Sequence, residues 1–126
     1  MIDKIFFIAL FINLLYEVSH SVLYKTCHEA KLPKYVYLML KGAIFDGFSI
    51  AIIYFITYSI FANKFQIITF LISSLMFAYV WEIYSLKKGK WEYTDKMPTV
   101  FGAGITPFIQ LAATGCISIY LASNFC

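Results

Sequence analysis

The sequence predicts an all-α integral membrane protein, a four-helix bundle whose helices cross the bilayer up, down, up and down. The 126 residues are 61% hydrophobic and only 13% charged, whereas a soluble domain is about 45–50% apolar and about 25% charged. The apolar residues fall into four runs, each close to the roughly 20 residues that a helix needs to cross the hydrocarbon core. This composition excludes a soluble monomer, a disordered chain and a nucleic-acid-binding module. The sequence has no internal repeat or linker, so residues 1–126 are predicted to form one domain.

The runs define the helices in chain order. They cover residues 5–24, 35–61, 65–86 and about 100–124. The connections are a polar loop at 25–33, closed by a proline, a tight turn at 62–64, and a long polar loop at 87–98. The membrane portion of the second helix is predicted to start after Lys41, with Tyr35 and Tyr37 as interfacial anchors.

The start of the fourth run is rich in glycine and contains a proline. Pro107 lacks a backbone donor, and Gly102 and Gly104 lose extra backbone entropy in a helix. Residues 102–107 are therefore predicted not to be regular helix, with the helix beginning near Thr106. Loop and helix both remain open for residues 101–105.

The lysines predict the orientation in the cell membrane, because short loops rich in Lys stay cytoplasmic. The first and third loops carry seven lysines, and the N-terminus and second loop carry two, Lys4 and Lys64. Both termini are thus predicted outside and both long loops in the cytoplasm. In the alternative reading residues 1–21 are a signal peptide, but Asp3 offsets Lys4 and no clean cleavage region follows.

Ionisable groups inside transmembrane segments are functional candidates by default. We predict acid–base roles for Glu17, His20, Asp46 and Glu82. We predict ligand-binding roles for Asn13, Trp81, Trp91, Thr106 and Gln110. Helical spacing places the polar residues of each helix on one stripe, so the stripes are predicted to converge on one pocket in the cytoplasmic half.

Several carboxyl groups in one pocket need compensation. Shared protons, pairing with Lys41 or Lys87, or a bound metal would each supply it. Bundle di-iron proteins use two Glu-x-x-His motifs and two further glutamates. Here Glu17-x-x-His20 is the one such motif, and Asp46 and Glu82 are possible extra ligands, which is enough for a single metal but not for a two-metal site. The three cysteines form no C-x-x-C pair, so neither a disulfide framework nor a thiolate zinc site is predicted. No cofactor or metal is assigned.

Three motifs carry a resemblance. They are E-x(2)-H-S-x-L-Y from Glu17 to Tyr24, W-E-x-Y-x(4)-G-x-W-x-Y from Trp81 to Tyr93, and M-P-x(3)-G-x-G-x-T-P-x(2)-Q from Met97 to Gln110. Together they resemble small uncharacterised polytopic membrane proteins of bacteria and archaea over most of the chain. The Trp81 to Tyr93 part is more faintly similar to membrane-bound carotenoid enzymes, the lycopene cyclases and bacterioruberin-type hydratases. That resemblance implies acid–base chemistry on a polyene in the bilayer.

Three functions follow as hypotheses. The first is a membrane protein whose polar pocket acts on an isoprenoid or another lipid. The second is a proton- or metal-coupled transport element, and the third is a structural or assembly protein without catalysis. The partners expected are membrane lipid, a lipid or isoprenoid ligand and a second copy of the chain, but no nucleic acid.

Overall fold

A computed structural model describes residues 1–60 and 65–124, so the predicted turn at 62–64 lies outside the described residues. The elements in chain order are α1 Ile2–His20, a 3-10 turn Ser21–Leu23, α2 Lys25–His28, α3 Leu32–Ile60, α4 Gln66–Lys87, β1 Thr99–Val100, β2 Ala103–Gly104 and α5 Ile105–Asn124. Four of these helices are long and apolar enough to span a membrane. The predicted all-α four-helix bundle is confirmed, and the chain is a multi-pass membrane protein.

The long helices are apolar on their outer as well as their inner faces. On α1, the outward face carries Phe7, Phe11, Leu15 and Val18, each 48–65% exposed. The inner faces meet in a core of Ile5, Ala9, Ile50, Phe70, Ala78, Leu111, Ile119 and Ala122. A helix that is hydrophobic all round is typical of a membrane span, so the outward side chains are suited to lipid contact.

Two helix boundaries differ from the prediction, because each helix includes a proline that was expected to lie outside it. Pro33 was expected to close the first loop, but α3 begins at Leu32 and includes it. Pro107 was expected outside regular helix, but α5 begins at Ile105. Both prolines lie in the first turn, where the missing N–H has no helical acceptor anyway. The prediction of non-helical structure is therefore wrong for residues 105–107.

That prediction is confirmed for residues 102–104. Strands β1 and β2 form a two-residue antiparallel hairpin, with Thr99 opposite Gly104 and Val100 opposite Ala103. Its turn places Phe101 at φ 50° and Gly102 at φ 86°, and glycine adopts positive φ without the steric cost of a side chain. The hairpin ends directly at the first residue of α5, so it aims the start of that helix.

The two long connections lie together at one end of the bundle. The Lys25 N–H donates to the Glu92 carbonyl at 2.8 Å, and the Thr94 N–H donates to the Leu23 carbonyl at 2.8 Å. Tyr24 and Tyr93 form an isolated antiparallel bridge between these segments. We call residues 21–28 and 91–104 the polar cap. Helices α1 and α4 end at this cap and α3 and α5 begin there, as an up-down-up-down bundle requires.

Candidate functional site

One amide group joins three helices near the polar cap. Gln110 on α5 donates from Nε2 to Asn13 Oδ1 at 3.0 Å, Glu17 Oε1 at 3.1 Å and Asp46 Oδ2 at 2.8 Å. Thr114, one turn further along α5, adds a hydroxyl hydrogen bond to Asn13 Oδ1 at 3.1 Å. We call Asn13, Glu17, Asp46 and Gln110 the amide cluster. Its two amide hydrogens face three acceptor oxygens, so the cluster draws α1, α3 and α5 to one point.

A glycine makes this approach of α1 to α3 feasible. A Cβ at Gly42 would lie 3.0 Å from both Cδ and Oε1 of Glu17. The Glu17 carboxyl group therefore packs against the backbone of α3, one turn before Asp46. The Glu17 and Asp46 carboxyl groups accept hydrogen bonds from the same Gln110 nitrogen, so they lie side by side. Two carboxyl groups this close repel each other when both are ionised, which favours one shared proton.

His20 extends the cluster toward the start of α5. Its Nε2 lies 3.4 Å from Glu17 Oε2, and its Nδ1 lies 3.0 Å from the Thr106 hydroxyl. The imidazole is 6% exposed. The ring thus links a carboxyl group to a hydroxyl group in the first turn of α5, an arrangement through which a proton can pass.

Glu82 on α4 forms a second polar centre. Its Oε1 accepts hydrogen bonds from the Tyr24 hydroxyl at 3.2 Å, from Trp91 Nε1 at 2.9 Å and from the Tyr93 hydroxyl. The Tyr93 oxygen in turn accepts a hydrogen bond from the Gly104 N–H at 2.8 Å. Burial, reinforced by the contact with Glu82, raises the pKa of the Tyr93 phenol above its usual range. Tyr93 therefore remains a neutral donor that ties α4 to the polar cap.

A cavity of about 370 Å³ separates the two centres, within the range of about 300–1,000 Å³ typical of small-molecule sites. Helix α3 packs extensively on α1 but much less on α4, and the cavity opens in that gap beneath the polar cap. Its acidic and amide lining comes from Glu17, Asp46, Glu82 and Gln110. Its aromatic lining is Tyr24, Phe45, Phe77, Trp81 and Trp91, and Lys41 and Lys90 lie at its exposed rim.

The predicted site residues fall into two sets. Those that line the cavity are Glu17, Asp46, Trp81, Glu82, Trp91 and Gln110. Asn13, His20 and Thr106 lie behind the first set, and each is hydrogen-bonded within this network. Their catalytic and ligand-binding roles stay predictions.

Tyr24 and Tyr93 were not singled out from the sequence as site residues, although both donate to Glu82. Tyr24 continues the helical stripe of Asn13, Glu17 and His20, and Tyr93 ends the W-x-Y motif. Those two sequence positions were the signals that could have identified the tyrosines as site residues. The sequence did not indicate that either phenol would reach α4.

The alternative forms of charge compensation can be compared with the contacts. Across residues 1–60 and 65–124, neither Lys41 nor Lys87 forms an ion pair with these carboxyl groups. The Lys41 ammonium lies instead over the Tyr37 ring, 5.8 Å from its centroid. Within the same residues, no group of three or more His, Cys, Asp or Glu side chains could hold a metal ion. The contacts that do form are hydrogen bonds among carboxyl, amide, imidazole and phenol groups.

The chain was also compared with known proteins. No family model, curated protein or solved structure matches it. The resemblance of its motifs to polytopic membrane proteins and carotenoid enzymes stays a prediction.

Proposed function

We propose that this membrane protein admits a lipid-soluble ligand, an isoprenoid or another lipid, between α3 and α4 and acts on it by acid–base chemistry. One observation carries the proposal. The cavity is lined by aromatic side chains on its α3 and α4 walls and also by carboxyl groups from α1, α3 and α4. An apolar ligand held there would have a proton donor and a proton acceptor beside it.

The aromatic wall supports entry from the bilayer. Phe45 on α3 stacks on Trp81 of α4 with ring centroids 4.7 Å apart, and on Phe77 at 6.2 Å. Phe77 is 36% exposed on the outer surface, so the aromatic row runs from the cavity toward the lipid-facing side. The stacked rings together present an apolar aromatic surface to the cavity, which is suited to contact with an alkyl or polyene chain.

The pair of Glu17 and Asp46 supports the chemistry. A carboxylic acid kept protonated in an apolar site donates a proton at neutral pH. In the proposed step its O–H bond breaks, a C–H bond forms at one carbon of a ligand double bond, and positive charge develops on the other carbon. A carboxylate then removes a proton from a neighbouring carbon, so the double bond has moved. The sequence of steps is redox-neutral and needs no co-reactant.

The proposal is tested first by binding. The protein is purified in native-lipid nanodiscs, and the retained lipids are identified by mass spectrometry. Ala78 lines the cavity, whereas Val80, two residues on, is 65% exposed. Ala78→Phe is expected to lose the enriched lipid, and the matched variant Val80→Phe to keep it. Equal lipid content in both variants would exclude the cavity as the binding site.

Chemistry is tested by incubating the nanodiscs in D₂O. The wild-type protein is expected to exchange deuterium into carbon positions of the retained lipid, because reversible protonation passes through the shared proton. Lipid that remains bound to Asp46→Asn is expected to show no exchange. Lipid that stays unlabelled in the wild-type protein would exclude acid–base action while leaving ligand binding intact.

A further inference from the structure

We infer that the cavity selects positive charge on an apolar body, so that its ligand is a lipophilic organic cation or a lipid that becomes cationic in the site. The inference rests on the proposed function, because it uses the same cavity, and it narrows the ligand class. Three features carry it: an open oxygen on Glu82, the adjacent Glu17 and Asp46 carboxyl groups on another wall, and an aromatic wall that already holds an ammonium group.

Glu82 supplies the first feature. The side chain is 3% exposed, yet its three hydrogen bonds all converge on Oε1. Within residues 1–60 and 65–124, no donor reaches Oε2, and this oxygen is not fully enclosed by the protein. Because Glu82 lines the cavity, Oε2 is an acceptor that opens into it. A donor or cation bound in the cavity can therefore reach Oε2.

Asp46 supplies the second feature on another wall. Gln110 donates to Oδ2 at 2.8 Å, and the same nitrogen donates to Glu17 Oε1 at 3.1 Å, so two carboxyl groups lie side by side there. Asp46 lies on α3 and Glu82 on α4, so the ligand space has a carboxyl group on each side. A plain hydrocarbon would leave the Glu82 oxygen without a partner, and the carboxylate charge would repel an anion. A positively charged group interacts favourably with both sides.

The aromatic wall supplies the third feature. The Lys90 ammonium lies 4.5 Å from the Trp81 ring centroid and 5.2 Å from that of Tyr84. The face of Trp81 therefore already accommodates a cation at the cavity rim. Lys90 is exposed to solvent, so a ligand cation could take its place over the Trp81 ring. Cation–π contacts gain strength when they are removed from water, which favours a ligand held deeper than Lys90.

The chain provides its own binding reporter. It has two tryptophans, and both Trp81 and Trp91 line the cavity. Tryptophan fluorescence in nanodiscs is titrated with dodecyltrimethylammonium, with neutral dodecanol and with dodecyl phosphate. Dodecyltrimethylammonium is expected to bind at least about tenfold more tightly than neutral dodecanol. One desolvated cation–π contact together with one carboxylate would produce that difference.

Variants and pH identify the groups responsible. Asp46→Asn is expected to remove most of the preference for the cation, and Asp95→Asn, an exposed carboxylate of the polar cap, to leave it unchanged. Lowering the pH of the wild-type protein should weaken cation binding but not dodecanol binding, because protonation neutralises the carboxyl groups that line the cavity. This second measurement decides the matter even if Asp46→Asn does not fold.

The possible outcomes are distinguishable. Equal affinity for the cation and the alcohol, or a preference for the phosphate, would contradict selection for positive charge. The cavity would still be the binding site. No fluorescence change with any of the three probes overturns both this inference and the proposed function. If the cation is preferred, mass spectrometry of the retained lipid distinguishes its source. A permanently charged lipid indicates a cationic ligand, and a neutral one indicates charge that forms in the site.

Discussion

The Glu82 side chain joins α4 to both segments of the polar cap, whereas each hydrogen bond of the amide cluster joins only two helices. It lies near the end of α4, and its three donors come from the residue after the 3-10 turn and from the segment before the hairpin. Tyr24, Trp91 and Tyr93 would lose their common acceptor together if Glu82 were truncated. Each buried donor left unsatisfied costs about 1–3 kcal/mol.

We expect Glu82→Ala to lower the free energy of unfolding by about 2–4 kcal/mol, less than the full sum because water can enter the space. Glu82→Gln keeps an acceptor oxygen in the same position and should lose much less. Thermal unfolding in mild detergent, followed by light scattering, measures both variants. Equal melting temperatures for the two would show that the three donors do not depend on Glu82.

Tyr93 gives a pH dependence with a defined sign. Its pKa is raised in the folded protein from a reference value of 10.0, mainly by burial. Below about pH 10 the phenol is neutral in both folded and unfolded chains, and its contribution is fully present. Above that pH the unfolded chain ionises first, so the contribution is lost progressively as pH rises toward the folded pKa.

The expected result is a steeper loss of thermal stability above pH 10 for the wild-type protein than for Tyr93→Phe, which has no phenol to ionise. The measurement is the melting temperature at a series of pH values between neutral and strongly alkaline. Parallel curves for the two proteins would mean that Tyr93 is not held neutral by its surroundings.

Among the helices, the contact of α4 with α5 depends on a missing side chain. A Cβ at Gly115 would lie 2.5 Å from Phe70 Cζ, and Phe70 itself is fully buried. Small residues allow membrane helices to approach closely enough for van der Waals packing, which drives their association. The ring of Phe70 therefore fills the space that glycine leaves.

Gly115→Ala should destabilise the bundle by about 1–3 kcal/mol, the usual cost of overpacking. Combining it with Phe70→Leu should restore part of that loss, because the smaller side chain vacates the position of the new methyl group. Ala113→Val, on the exposed face of the same helix, is the matched control and should have little effect. Resistance to detergent unfolding compares these variants with the wild type and with Phe70→Leu alone, and additive losses in the double variant would contradict the clash.

For the molecule as a whole, the structure orients the helices relative to one another, and the lysines alone predict the side of the membrane. The polar cap contains both segments that join consecutive spans at one end of the bundle. If the lysine-rich connections stay inside, the cap and the mouth of the cavity face the cytoplasm.

A C-terminal reporter fusion should accordingly be active outside and inactive in the cytoplasm. Removing lysines from the long loop should change this result. Replacing Lys87, Lys88 and Lys90 by glutamine weakens the cytoplasmic signal of that loop and should give a mixed orientation. Cytoplasmic activity of the wild-type fusion would reverse the predicted topology, while the fold and the cavity would be unaffected.

Part of the site was predictable because helices repeat regularly. The spacing of Asn13, Glu17 and His20 put them on one face of α1, and the amide cluster joins that face to Asp46 and Gln110. The partners of Glu82 were not predictable. They depend on a cap in which residues 66 and 71 positions apart in sequence form hydrogen bonds, and no local pattern encodes such a pairing.

The amino-acid sequence by itself determined the four spans and the faces their polar residues share. In a bilayer every backbone group must be satisfied within its own segment, so apolar length alone is enough to form a helix. Only the tertiary structure decided that α3 and α4 separate to leave a cavity, that Pro33 and Pro107 enter first turns, and that three donors meet on Glu82. Those features depend on how close whole helices approach, at Gly42 and Gly115 among other places, and on how the cap folds back, which are distances between segments far apart in the chain.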